Sequence, residues 1–136
     1  MSERLEALLR ELIEKEGFTD FRAGGAVGFD SVAALTVLKL KEDYPNVKLH
    51  LILPCKNQER FFSAFERNLY KYTIEKADSV SYIQEKYSDG VMHIRNRALV
   101  TGSDLCIAYL AIAKGGTFQT VNIARRQKVR VINVYK

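Results

Sequence analysis

The sequence predicts an α/β fold, a three-layer α/β/α domain around a mostly parallel sheet of about five strands. Three observations carry this. Short apolar runs at 18–23, 47–53, 79–84, 105–110 and 129–134 alternate with stretches of helical pattern. The second of these runs, with Val47, Leu49, Leu51, Ile52 and Leu53, is nearly continuously apolar, as in a strand covered on both faces. Two glycine pairs, Gly24-Gly25 and Gly115-Gly116, each stand between a strand run and a helical run. With 136 residues, 47% of them apolar, the chain has enough material for one core, and residues 1–136 are taken as a single domain.

In chain order, residues 3–16 read as a helix, with Leu5, Leu8, Leu9, Leu12 and Ile13 at three- and four-residue spacing. Gly17 stands where a helix-ending glycine belongs. Phe18 to Ala23 is the first strand, and a helix follows from about Ser31 to Asp43, ending before Tyr44-Pro45 because a residue preceding proline leaves the helical region. Val47 to Leu53 is the second strand, stopped by Pro54. Gln58 to Lys76 is helical in two pieces. Its aromatics Phe61, Phe62, Phe65, Tyr70 and Tyr72 suit core or lid packing, with base stacking the sharper alternative. Ser79 to Gln84 is the third strand and Tyr87 to Gly90 a turn. Val91 to Thr101 is a short helix carrying Arg95, Asn96 and Arg97. Leu105 to Leu110, Thr117 to Gln127 and Val129 to Val134 complete the chain as strand, helix and strand.

Strand, glycine turn, helix is the geometry in which backbone N–H groups face an anion, usually a phosphate. Glycine suits it because no Cβ holds the phosphate away and positive φ costs little. In a parallel sheet both glycine turns open onto the edge formed by the strands' carboxyl ends, where ligands bind. Gly24, Gly25, Ala26, Gly28, Gly115, Gly116 and Thr117 are therefore the candidate phosphate contacts. Asp30 either accepts from a ribose hydroxyl or caps its helix, as Ser31 also could.

Other classes are constrained. No apolar run reaches the roughly 18 residues that span a bilayer, and the N-terminus lacks a signal-peptide core, so a cytoplasmic protein is expected. Cys55 and Cys106 have no partner spacing with His50 or His93 and read as free thiols, with no metal site expected. The net charge of +5 suits an anionic ligand but is too small to indicate nucleic acid.

The order of motifs resembles the SLOG superfamily, the Rossmann-like group named for Smf/DprA and LOG proteins, and within it the YpsA/YoqJ-like branch. The resemblance rests on Gly24-Gly25-Ala26-Val27-Gly28-Phe29-Asp30, on Lys48 to Cys55 with Gln58 and Glu59, and on Ala77-Asp78. It continues through Tyr87, Gly90, Met92-His93-Ile94-Arg95-Asn96 and Ser103-Asp104 to Gly115-Gly116-Thr117, Thr120-Val121 and Ala124. It implies a nucleotide or nucleotide-derived ligand with phosphate at the glycine turns, reached by Arg95 and Asn96, with Thr120 also counted among the ligand contacts. A guanidinium pairs with phosphate oxygens and stays charged; the plain alternative for Arg95 is an exposed surface arginine.

Two departures from the family pattern shape the functional expectation. LOG enzymes, which cleave the N-glycosidic bond of nucleoside monophosphates, carry a glutamate where this chain has Thr120. A hydroxyl cannot do the carboxylate's work there. The family also opens with a strand that forms the middle of the sheet, whereas this sequence begins in the helix that follows it. Backbone pairing is then expected to be recovered through a second copy or another segment. The resulting reading is a nucleotide-binding or sensing domain rather than an enzyme, with no certain cofactor, no catalytic residue assigned, and a homo-oligomer left open. The alternatives are an N-glycosidic hydrolase using Asp30 or Asp104, and single-stranded nucleic-acid binding through Arg125, Arg126, Lys128 and Arg130.

Overall fold

A computed structural model describes residues 2–26 and 28–135, without the side chains of residues 2 and 61. The elements run α1 (Ser2–Glu16), β1 (Asp20–Ala23), α2 (Phe29–Asp43), β2 (Lys48–Cys55), a 3-10 turn (Gln58–Phe61), α3 (Ala64–Lys76), β3 (Ser79–Gln84), α4 (Val91–Val100), β4 (Leu105–Ala108), α5 (Gly115–Arg126) and β5 (Arg130–Asn133). The fold is α/β, and every strand pairing is parallel.

Local signals set several of these boundaries. Gly17 leaves α1 at φ +74°, a conformation that costs glycine little. Ser63 opens α3 with a reciprocal cap: its hydroxyl accepts from the Glu66 N–H while the Glu66 carboxylate accepts from the Ser63 N–H. Tyr44, held outside the helical region at φ −129°, ψ 85° ahead of Pro45, closes α2.

The main core lies where α1 and α2 meet β1 and β2. Leu5, Leu9 and Leu12 of α1, Val37 and Leu40 of α2, and Leu49, Leu51 and Leu53 of β2 are all buried in it. Val100, Ile123 and Ala124 form a smaller cluster under α4 and α5. The helices α1, α2 and α3 pack in sequence, and α4 packs on α5, so helices cover both sides of the strand layer.

The strands form two sheets, ordered β1-β2-β3 and β4-β5. Leu105 and Ile107 of β4 pack against the core that holds Ala23 of β1, so the sheets lie side by side as β3-β2-β1 and then β4-β5. The chain moves outward from β1 to β3, returns through α4, and moves outward the other way from β4 to β5. The order therefore reverses between β1 and β4, and there the strand layer is open.

Several boundaries differ from the sequence reading: β1 starts at Asp20 rather than Phe18, β4 ends at Ala108 rather than Leu110, and β5 spans Arg130–Asn133. β2 continues through Pro54 to Cys55. The N–H of Leu49 donates to Asp78 on the β3 side, so odd-numbered residues of β2 face β3 and even-numbered ones face β1. Pro54 thus turns its missing N–H toward β1, whose pairing has already ended at Ala23–Leu51. The helices after the glycine turns also begin two residues early, at Phe29 and Gly115.

Candidate functional site

A crevice of about 660 Å3 occupies the opening between β1 and β4. Gly24, Ala26, Asp30, Arg95, Asn96, Gly116, Thr117, Gln119 and Thr120 line its mouth at the carboxyl ends of the strands. Both glycine turns thus meet at one rim, as the strand–turn–helix pattern implies.

Arg95 is its central residue, and it is not the exposed arginine that its short helix would allow. It is buried, at 4% exposure. Its Nη1 donates to the Gly24 carbonyl and its Nε to Asn96 Oδ1 at 3.0 Å. Among the described residues, Nη2 has no hydrogen-bond partner. Asn96, equally buried, passes the chain on by donating to Gln119 Oε1 at 2.9 Å. Gln119 escaped the sequence reading because nothing in α5 marks it except its position two residues beyond Thr117.

Asp30 faces Arg95 across Gly24. Its carboxylate accepts from the Ala26 N–H at 3.2 Å, and the Ser31 hydroxyl donates to the Ala26 carbonyl at 3.3 Å. Neither side chain caps α2, whose N-cap is Gly28 at φ +91°; together they pin the turn. Burial pushes the Asp30 carboxyl above the usual carboxylate range, against the pull of Arg95 and the Ala26 N–H. The same desolvation draws Arg95 downward, opposed by Asp30. Opposed charges kept in a cleft against desolvation are a physical mark of a functional site.

The glycines divide by what surrounds them. A Cβ on Gly24 would overlap the Arg95 guanidinium and come within 3.1 Å of Asp30 Oδ2. A Cβ on Gly25, which sits at φ +74°, would overlap Leu53 and crowd Tyr70 at 3.2 Å. At these two positions the protein's own packing accounts for the missing side chain. Gly28, Gly115 and Gly116 have nothing within 4 Å of a Cβ. Because α5 begins at Gly115, the N–H groups of Gly115, Gly116 and Thr117 belong to its first turn, where no intrahelical acceptor reaches them. The Lys114 side chain does not cap that turn. Thr120 is occupied otherwise, its hydroxyl donating to the Gly116 carbonyl at 3.0 Å.

Among the described side chains, the aromatics at the crevice are not those of residues 62–72, where Phe62 packs edge-on to Tyr70 and Phe65 is 72% exposed. Phe29 and Tyr109 line it instead, stacked at 6.0 Å between centroids, with Tyr135 edge-on to Tyr109 at 5.1 Å. Among the described residues Asn57 Oδ1, Gln58 Oε1, Glu59 Oε2, Arg67 Nε and Tyr70 Oη are buried with no hydrogen-bond partner, while Gln58 Nε2 donates to the Gly25 carbonyl at 2.8 Å. Asp104 lies at the start of β4, away from the mouth. Arg125 and Arg126 close α5, and Arg130 is salt-bridged to Glu16 at 3.1 Å. These cations lie at the opposite end of the strands from the glycine turns.

Parallel strands with helices on both sides, and a crevice where the strand order reverses, define the Rossmann-like class, in which ligands bind at that position. Comparison with known proteins agrees. Residues 1–130 match the YpsA family (YspA SLOG family), and the chain belongs to that family. It is 29% identical to the uncharacterized SPbeta prophage-derived protein YoqJ of Bacillus subtilis, over 93% of this chain and 81% of that protein. It is 30% identical to UPF0398 proteins of Brevibacillus brevis and Halalkalibacterium halodurans, over 73% and 90% of this chain. It spans 55% and 66% of their lengths. Among the described residues no helix is long and apolar enough to cross a membrane.

Proposed function

We propose that the crevice binds a nucleotide or nucleotide derivative. The phosphate lies on the first turn of α5, at Gly115, Gly116 and Thr117, within reach of Arg95. Asp30 accepts from the sugar, and Phe29 and Tyr109 offer a face to the base. One observation carries this reading: a buried arginine with an uncommitted Nη2 stands beside an uncapped helix N-terminus at the reversal of strand order. Family membership supports it, since SLOG proteins as a group point to nucleotide-related roles.

Binding without turnover is the better-supported form. Glycosidic cleavage uses paired carboxylates, or a carboxylate that stabilises the sugar cation. At the mouth of this crevice Asp30 is the only carboxylate among the described residues, and Thr120 spends its hydroxyl on its own helix. Incubation with adenosine monophosphate is expected to release no free base while calorimetry shows binding. Base release abolished by Asp30→Asn would replace this reading with the hydrolase.

Asp30 also makes the site pH-sensitive in a definite direction. Its raised carboxyl pKa means that it takes up a proton earlier than an ordinary carboxylate as the pH falls. Removing that negative charge beside Arg95 favours an incoming anion. Sulfate, a dianion in this range, is therefore expected to bind more tightly as the pH is lowered from neutrality through the Asp30 titration. Asp30→Asn, which keeps an acceptor oxygen but no charge, flattens this dependence. An unchanged slope in Asp30→Asn would remove Asp30 from the site.

A further inference from the structure

We propose that Ser79, His50 and Asp20 form a nucleophilic serine array that takes the acyl group from small carboxylic esters and passes it to water. The array lies toward the amino ends of β1, β2 and β3, away from the glycine turns, and is independent of the nucleotide reading.

Strand register assembles it. Arg22 pairs with His50 and His50 with Ser79, so these share one face of the sheet, and Asp20, two residues before Arg22, is on that face too. Leu49, Leu51 and Leu53 alternate with them and are buried in the core on the other face. His50 Nδ1 lies 2.6 Å from Ser79 Oγ, and its Nε2 lies 2.8 Å from Asp20 Oδ1. Asp20 Oδ2 accepts from the Thr19 hydroxyl at 2.9 Å, so both carboxylate oxygens are held. The His50 hydrogen bond, with that of Thr19, keeps the Asp20 carboxyl below the usual carboxylate range, so it is ionised and only accepts. The proton of a neutral imidazole is then on Nε2, and Nδ1 is left as the base that accepts from the Ser79 hydroxyl. Hydroxyl, imidazole and carboxylate, each within hydrogen-bond reach of the next, are the arrangement that activates a serine.

The surroundings supply the other parts. β3 is the outer strand of its sheet, and Leu51 is in register with Val80. The N–H groups of Ser79 and Ser81 therefore turn to β2, and that of Val80 turns to the open edge. This donor, on the residue after the nucleophile, serves the charge that develops on the ester carbonyl oxygen. Asp78, which precedes Ser79, is engaged by the Lys41 ammonium and the Leu49 N–H, and Lys48 stands beside Asp20 in the register. Ser79 is exposed, so the acyl group reaches it from solvent and a short one suits it. In the first step a bond forms between Ser79 Oγ and the acyl carbon while the ester C–O bond breaks. The Ser79 proton passes through His50 to the departing alcohol. In the second, water gives a proton to His50, its oxygen takes the acyl group, and His50 returns the proton to Ser79.

The test adds p-nitrophenyl acetate to the whole chain and reads nitrophenol release and, by peptide mass spectrometry, an acetyl group on Ser79. A fluorophosphonate probe, which labels activated serines, gives a second reading. His50→Gln is expected to lower both rates about a hundredfold, and Ser79→Ala to abolish the adduct. Asp20→Asn, which no longer fixes the imidazole proton on Nε2, is expected to fall between the unmodified chain and His50→Gln. Ser81→Ala, on the same strand and face but hydrogen-bonded to the Leu51 carbonyl at 3.5 Å, is expected to change neither rate. Acetylation of lysines with none on Ser79, no labelling by either reagent, or equal labelling of Ser79 in His50→Gln would overturn the proposal. So would a lowered melting midpoint in His50→Gln with labelling unchanged, since the array would then only staple three strands together.

Discussion

Arg95→Ala is expected to destabilise the fold by about 3–5 kcal/mol, the scale for breaking a buried charge arrangement. Measured against a total stability of roughly 5–15 kcal/mol, that loss is large. Three groups lose their partner together: the Gly24 carbonyl, Asn96 Oδ1, and the Asp30 carboxylate left without a facing cation. Arg95→Lys keeps the charge but cannot serve Gly24 and Asn96 at once, so an intermediate loss is expected. Adding Asp30→Asn to Arg95→Ala is expected to recover part of the stability, because the two charges are coupled. Urea denaturation measures all three. A loss at Arg95→Ala below about 0.5 kcal/mol, the range of surface substitutions, would mean that the guanidinium does not organise this turn.

Gly116→Val is expected to remove nucleotide binding while the fold stands. Nothing lies within 4 Å of a Cβ at Gly116, and valine is no worse than glycine inside a helix. Its branched side chain, however, covers the first-turn N–H groups that the phosphate needs. Each charged hydrogen bond lost is worth about 1.5–3 kcal/mol, or one to two decades in affinity. Gly25→Val is the instructive opposite: positive φ and the overlap with Leu53 predict unfolding, so loss of binding there says nothing about phosphate. Arg126→Ala, on an exposed helix end away from the crevice, is expected to leave both properties unchanged. Calorimetry with adenosine monophosphate, beside thermal melts, separates these outcomes. Equal losses at Gly116→Val and Arg126→Ala would indicate diffuse electrostatic attraction instead of a built site.

The parts legible in the sequence are those governed by local rules. The five strands follow from short apolar runs, the parallel arrangement from their alternation with helices, and the shared rim from glycines placed after strands. What stayed hidden depends on contacts distant in the chain. Arg95 and Gly24 are separated by 71 residues, so no local pattern could show that the guanidinium is buried on that carbonyl. The same distance concealed why Gly24 is glycine: Arg95 and Asp30 occupy the space above it, just as Leu53 occupies the space at Gly25. Phe29 and Tyr109 meet only because α2 and the end of β4 face one crevice. Pro54 read as a strand stop because its missing N–H matters only if a neighbour needs it, and β1 ends before that point.

Amide chemical shifts followed during a titration with adenosine monophosphate test the proposed site most directly. The account predicts the largest changes at Gly24 to Ala26 and at Gly115 to Thr117, with the Arg95 side-chain N–H moving alongside them. Changes confined to Arg125, Arg126 and Lys128, or none at concentrations well above those of cellular nucleotides, would contradict it.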